Sequence, residues 1–235
     1  QRDGSRIVKL VLTAALLCLG VAPLAAQVGS LPEKSPYQDF TYHQDVSVFG
    51  GYFGGNKGSA NIGPQSSPIF GIRYGLHIGG PAEFAFRIGR ASSTRNVLDP
   101  TKLGAARNIG TESDPLWIAD AAINVALTGQ KSFHHIVPSV GVGAGVAKSN
   151  SSADVGGYKF GTGFALQFGG GVRFVSHGPW GARVDLTDYL WQLSYPSSYF
   201  LTPVGGTPIL AASQPQNEWK QNTTITFGIT YIFSR

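Results

Sequence analysis

Eight ionisable side chains stand where an otherwise apolar chain leaves little room for charge: Arg73, His77, Glu83, Arg87, Asp120, Arg173, Arg183 and Asp185. Most lie in segments whose alternate residues are apolar, so on an extended backbone they occupy the opposite face. Four guanidiniums, three carboxylates and one imidazole could form a paired network, a gated ion path or a proton relay. The paired network asks least, because a lone buried charge is expensive and a paired one is satisfied in place. Hydrolysis would need a nucleophile, a base and an orienting group that converge. His134-His135 is the pair that invites such chemistry, with His77, His43 and His177 elsewhere. Adjacent strand residues point to opposite faces, which spoils His134 and His135 as joint metal ligands, and polar turn residues are the simpler reading. Gly141-Val-Gly-Ala-Gly145 and Gly169-Gly-Gly171 lack the full spacing of a nucleotide loop and open no helix. They read instead as small residues that make room for arginines, or as bend points. No metal and no cofactor is implied.

The elements that carry these residues have a period of two. Eight segments recur: 45–53, 69–78, 83–89, 116–127, 136–146, 160–175, 181–193 and 222–233. In the second, Phe70, Ile72, Tyr74, Leu76 and Ile78 share one face and Gly71, Arg73, Gly75 and His77 the other. In the eighth, Ile225, Phe227, Ile229, Tyr231 and Phe233 alternate with Thr224, Thr226, Gly228 and Thr230. Segments of about ten residues suit tilted strands that cross a bilayer. The connections alternate between short (79–82, 128–135, 176–180) and long (54–68, 92–114, 148–159, 194–221), which gathers every long loop at one end. With the apolar face toward lipid, the eight ionisable residues line a lumen that side chains can fill. Trp117, Tyr189, Trp191, Tyr231 and Phe233 fall near strand ends, as an aromatic girdle would place them.

Composition agrees. Charged residues make up 13% of the 235-residue chain and glycine contributes 32 residues, against about a quarter charged in soluble domains. Arg6 and Lys9 precede a short apolar run that ends near Pro23-Leu-Ala-Ala-Gln27, so residues 1–26 read as a secretory signal peptide. The run is shorter than the roughly 20 residues of a spanning helix. Cys18 lies inside it without the small preceding residue that lipid modification prefers, so the mature chain carries no cysteine. Residues 27–43, with Pro32 and Pro36, read as a flexible periplasmic leader, and 44–235 as the barrel. The mature net charge of +3, without a basic run, argues against nucleic acid.

On the signal peptide, the alternating segments and the terminal strand Thr224-Ile-Thr-Phe-Gly-Ile-Thr-Tyr-Ile-Phe233, the chain resembles the small eight-stranded outer-membrane barrels of the OmpA and OmpX type over residues 44–235. The fold expected is all-β, a closed antiparallel eight-stranded up-and-down transmembrane barrel. The resemblance implies a non-enzymatic protein of the bacterial outer membrane. It would display four loops for envelope integrity, adhesion or surface interaction. Its partners would be outer-membrane lipid, lipopolysaccharide and the barrel-assembly machinery. A narrow pore, a lipid-modifying enzyme and a soluble lipocalin-like barrel of reversed polarity are the alternatives.

Overall fold

A computed structural model describes residues 35–40 and 42–233. The signal peptide expected over 1–26 and the leader up to residue 34 lie outside the described residues, as do Thr41 and the last two residues. The described strands are β1 (Tyr37–Asp39), β2 (Gln44–Gly54), β3 (Ser67–Gly79), β4 (Ala82–Ala91), β5 (Thr94–Leu98), β6 (Asn108–Ser113), β7 (Leu116–Ala126), β8 (Lys131–Phe133), β9 (Ile136–Ser149), β10 (Thr162–Val175), β11 (Trp180–Ser194) and β12 (Asn217–Ile232). Eight of them, β2, β3, β4, β7, β9, β10, β11 and β12, pair antiparallel in a continuous ring that the β12–β2 and β7–β9 ladders close. This is the all-β, up-and-down, eight-stranded barrel expected. β5 and β6 form a separate hairpin within the second long loop.

Side-chain polarity follows the alternation. Phe70 and Ile72 of β3, Val142 of β9 and Phe227 and Ile229 of β12 are 54–66% exposed on the outer wall. Arg73 and Thr230 face inward and are buried. An apolar outside around a polar inside is the arrangement a lipid-facing barrel requires and a soluble one avoids. Glycines make the lumen wide enough for charge. Gly75, Gly145 and Gly171 stand in register opposite Asp45, Asp120 and Asp185. A Cβ on Gly171 would lie 2.2 Å from an Asp185 carboxylate oxygen, and one on Gly75 would lie 2.8 Å from that of Asp45. Gly75 and Gly171 are therefore the vacancies into which these carboxylates fold, while a Cβ on Gly145 would meet the Ala119 carbonyl and the Asp120 Cβ.

Two expectations change. The leader is not flexible throughout: β1 pairs with β8 beneath the barrel, and Phe40 and Tyr42 are buried against Val137, Val175 and Ile232. Two aromatic side chains gain more from burial at the barrel mouth than the strand loses in chain entropy. The girdle is also thinner than expected. Trp117, Tyr231 and Phe233 face outward, whereas Tyr189 and Trp191 point inward, 2% and 0% exposed, because their odd positions on β11 share the face of Arg183 and Asp185.

Candidate functional site in the barrel lumen and the loop cap

The lower lumen, at the end of the short turns, is a ladder of charge. Asp45 of β2 accepts from Arg73 of β3 at 3.2 Å and from Arg173 of β10 at 2.9 Å. Glu83 of β4 accepts from both arginines, from the Tyr42 hydroxyl and, at 3.3 Å, from Asn124. The Tyr42 ring lies 4.5 Å from the Arg173 guanidinium, with Phe40 at 5.8 Å, so the segment before β2 stoppers this end through cation–π and hydrogen-bond contacts. One step higher, Arg183 grips Asp185 of its own strand through two bonds of 2.7 and 2.9 Å. Arg87 of β4 then meets Asp120 of β7 at 3.1 Å, and donates to Thr187 at 3.1 Å. Asp120 also accepts from the Tyr189 hydroxyl at 2.7 Å.

Seven of the eight residues singled out in the sequence thus line the lumen in three ion-paired groups: Arg73 and Arg173 with Glu83, Arg183 with Asp185, and Arg87 with Asp120. His77 is the exception: it is half-buried and meets the Tyr42 ring at 5.2 Å rather than a carboxylate. The member that sequence reasoning missed is Asp45, fully buried at the first inward position of β2. With it the lumen holds four arginines and four carboxylates and is electrically neutral. The Asp45-Val-Ser-Val alternation contains the signal, since Asp45 shares the face of the buried Ser47 and Phe49.

Above Tyr189 the lumen changes character. Phe53 stacks on Trp191, Phe160 meets its ring edge-on and Tyr189 lies tilted to it, with ring centres 5.8–6.1 Å from that of Trp191, and Phe49, Ile69, Leu116, Ile118 and Leu193 complete an apolar plug. Cavities of about 30 and 20 Å³ lie below this plug, among the charged residues. Each is large enough for one or two waters and for no solute.

No family model and no curated protein matches the chain. Among solved structures it is similar to Neisserial surface protein A, NspA, at 12% identity, with 81% of this chain and 97% of that chain covered and a TM-score of 0.50. The outer membrane protein AlkL is similar at 14% identity, with coverage of 89% and 98% and a TM-score of 0.43. Yersinia pestis Ail shows 12% identity, coverage of 81% and 99% and a TM-score of 0.37. The chain has the fold of a small eight-stranded outer-membrane β-barrel.

In this barrel the apolar plug continues into the long loops. Ile62, Tyr158, Tyr195, Tyr199 and Leu210 are buried in one cluster with Phe53 and Trp191. The loops are also tied to one another by polar bonds. Arg95 of β5, 0% exposed, reaches Asp154 at 2.6 Å, Glu112 at 2.9 Å and Asp114 at 3.5 Å, beneath the Tyr158 ring at 5.4 Å. That joins the second loop to the third. Asn96 Nδ2 donates to the Asn61 carbonyl at 2.8 Å and joins the second to the first. Ser198 donates to the Gly156 carbonyl at 2.5 Å and joins the fourth to the third, while Arg107 donates to the carbonyls of Thr207 and Pro208. Ser59 and Tyr195 both bond Glu218, which locks the first loop onto β12. Burial, reinforced by the charge of Asp114, pushes the Tyr158 phenol above its ordinary range, and burial does the same to Tyr199 beside Asp154. Nothing in the local sequence of Arg95 distinguishes it from a solvated loop residue. Its partners lie up to 59 residues away.

Proposed function

We propose that the protein is a non-enzymatic integral barrel of the bacterial outer membrane whose interlocked loops stand outside the cell as a preformed contact surface. The observation that carries this reading is the unbroken packing from Phe53 and Trp191 in the barrel to Tyr199 and Leu210 in the loops. Such packing suits a rigid platform and opposes a conducting path. Loops used for recognition bind best when ordered in advance, because ordering then costs nothing at the moment of contact. Leu103 of the second loop and Leu201 and Val204 of the fourth stand exposed on this cap, Val204 completely so.

The narrow-pore alternative draws no support from a lumen stoppered by Tyr42, filled by paired charges and closed again at Trp191. The enzyme alternative fares no better. All five histidines lie at the turn end, with His43 ahead of β2, His77 near the end of β3 and His134, His135 and His177 in the turns. The loop end, where a lipid or peptide substrate would arrive, therefore has no imidazole base.

The test uses the refolded protein and cells that express it. Planar bilayers are expected to show no conductance steps, and lipid A mass spectra are expected to be unchanged. Leu201→Asp with Val204→Asp is expected to reduce adhesion or autoaggregation of expressing cells while the heat-modifiable gel shift persists. Conductance that responds to neutralising Arg73 or Asp120, or an altered lipid A, would overturn the reading.

A further inference from the structure

The lipid-facing wall carries two cations that the lumen network does not use. Arg90 of β4 and Lys148 of β9 point outward and are exposed, one residue from the loop ends of their strands. Trp117 of β7 stands between them in direct register, opposite Arg90 on one side and Lys148 on the other. Neighbouring strands lie about 4.8 Å apart, so the two cationic backbones are separated by roughly 10 Å, within reach of one another's side chains. The Arg90 guanidinium lies 5.9 Å from the centre of the Trp117 ring. Among the described residues neither cation has a carboxylate partner, whereas the lumen arginines, Arg95, Lys102, Lys131 and Lys220 all do. The one acidic side chain on the outward face of the described barrel strands is Asp188, and it is occupied by Gln221 at 2.6 Å and by Thr223.

Two unpaired cations on a lipid-facing wall are tolerated only at headgroup level, where the cost falls from a few kcal/mol to about 0–1 kcal/mol. An indole between them fits the same level. What satisfies both cations there is an anion supplied by the bilayer. A phosphate matches best: a guanidinium can hold it through two parallel bonds and an ammonium can approach as a point charge.

The wall beneath shows which phosphate source fits. Below Trp117 the outward residues of β7 are Ala119 and Ala121, with Ala144 in register with Ala121 on β9. This furrow is flanked by Phe86 and Ile88 on β4 and, on the other side, by Val146 of β9 opposite Ala119 and by Leu166 of β10 beyond Ala144, all exposed. It is a shallow apolar channel running from the cations toward the bilayer centre, and free phosphate would leave it empty. We infer that Arg90, Trp117 and Lys148 form a docking site for the phosphorylated headgroup of an outer-leaflet lipid, with an acyl chain lying along the Ala119–Ala121–Ala144 furrow. The inference rests on the reading of this wall as lipid-facing. It assigns the wall a partner that the loop-display reading does not require.

Native mass spectrometry of the detergent-solubilised full barrel tests it, with lipid A, enzymatically dephosphorylated lipid A and inorganic phosphate as probes. The wild-type barrel is expected to retain lipid A adducts and to lose them about tenfold more readily when the phosphates are removed, with no competition from millimolar inorganic phosphate. Arg90→Gln with Lys148→Gln is expected to weaken lipid A retention about tenfold or more, whereas the charge-exchanged pair Arg90→Lys with Lys148→Arg retains it. Lys102→Gln with Lys159→Gln, which removes two loop charges, is expected to change nothing. Equal retention of phosphorylated and dephosphorylated lipid overturns the site, and this comparison needs no variant to fold. Wild-type retention by the folded double glutamine variant overturns it as well, as does displacement of the lipid by inorganic phosphate. Any of these results leaves conductance and adhesion untouched, so the site can fail without the display reading failing.

Discussion

Replacing Arg95 with methionine removes the charge that holds the second and third loops together while it keeps most of the side-chain volume. Asp114 and Asp154, 3% and 2% exposed, then remain as buried carboxylates, while Glu112, 46% exposed, can turn to solvent. Breaking a buried ion pair from one side costs about 3–5 kcal/mol. The carboxylates keep some support, because Asp154 still accepts from the backbone amides of Gly156 and Tyr158, and Asp114 still accepts from Ser149. The lower part of the range therefore applies, and about 3 kcal/mol corresponds to roughly a hundredfold rise in cap opening. Amide hydrogen exchange measured by mass spectrometry in lipid vesicles reads this directly: peptides spanning 94–114 and 150–161 are expected to lose about a hundredfold in protection. Peptides from β9 and β12 are expected to stay unchanged, because the lumen ladder lies below the plug. Loop peptides that keep wild-type protection would show that Arg95 is a bystander. Equal loss in the barrel strands would show that cap and barrel open as one unit.

The lumen ladder makes its own predictions. Arg87→Leu or Asp120→Leu alone is expected to cost about 3–5 kcal/mol in urea unfolding from vesicles, and the double variant clearly less than the sum, because the pair is buried and its partners touch. Additive costs would refute the pairing. Tyr42→Phe removes a hydroxyl that donates to Glu83 while it keeps the ring under Arg173, so about 1.5–3 kcal/mol is expected to be lost in the same assay. No loss would mean that the segment before β2 leaves the lumen in the membrane. Trp191→Ala is expected to cost about 3–5 kcal/mol by opening a cavity among Phe53, Phe160 and Tyr189, and to raise trypsin cleavage at Lys159 in the cap above it. A destabilised barrel with an unchanged cleavage rate would separate the plug from the loops.

What was legible in the sequence was whatever repeats every second residue under a strong constraint. Lipid demands an apolar outer face on every strand, so Phe70, Ile72, Phe227 and Ile229 identified the wall, and Arg73, Arg87, Asp120, Arg173, Arg183 and Asp185 fell inside by default. The same logic failed where both faces are apolar. On β11 the alternation alone gives Trp191 the face of Asp185, yet a tryptophan near a strand end also fits the interface, and only the ring of neighbours decides. Asp45 sits at the mouth of β2, where a charge equally suits a solvated strand end. Phe40 and Tyr42 depend on partners 30 or more residues away, and Arg95 on partners 17 to 59 residues away, which no local pattern encodes.

The lumen is divided along its axis: paired charges fill the part toward the short turns, and an apolar cluster centred on Trp191 fills the part toward the loops. Charge is tolerable only where each group meets its counterion, and the neutral set of four arginines and four carboxylates needs glycines opposite two of its aspartates to fit. Those glycines leave the wall bare, and Tyr42 closes the mouth that they widen. Toward the loops the wall bears bulky inward residues, among them Phe49, Phe53 and Trp191, and a guanidinium there would find neither space nor partner. The apolar half can therefore extend directly into the loops, because burial of Tyr158, Tyr195 and Tyr199 adds to an apolar cluster already fixed by seven of the eight barrel strands. A cap anchored in that way inherits the rigidity of the barrel, which a cap standing on a water-filled pore would lack.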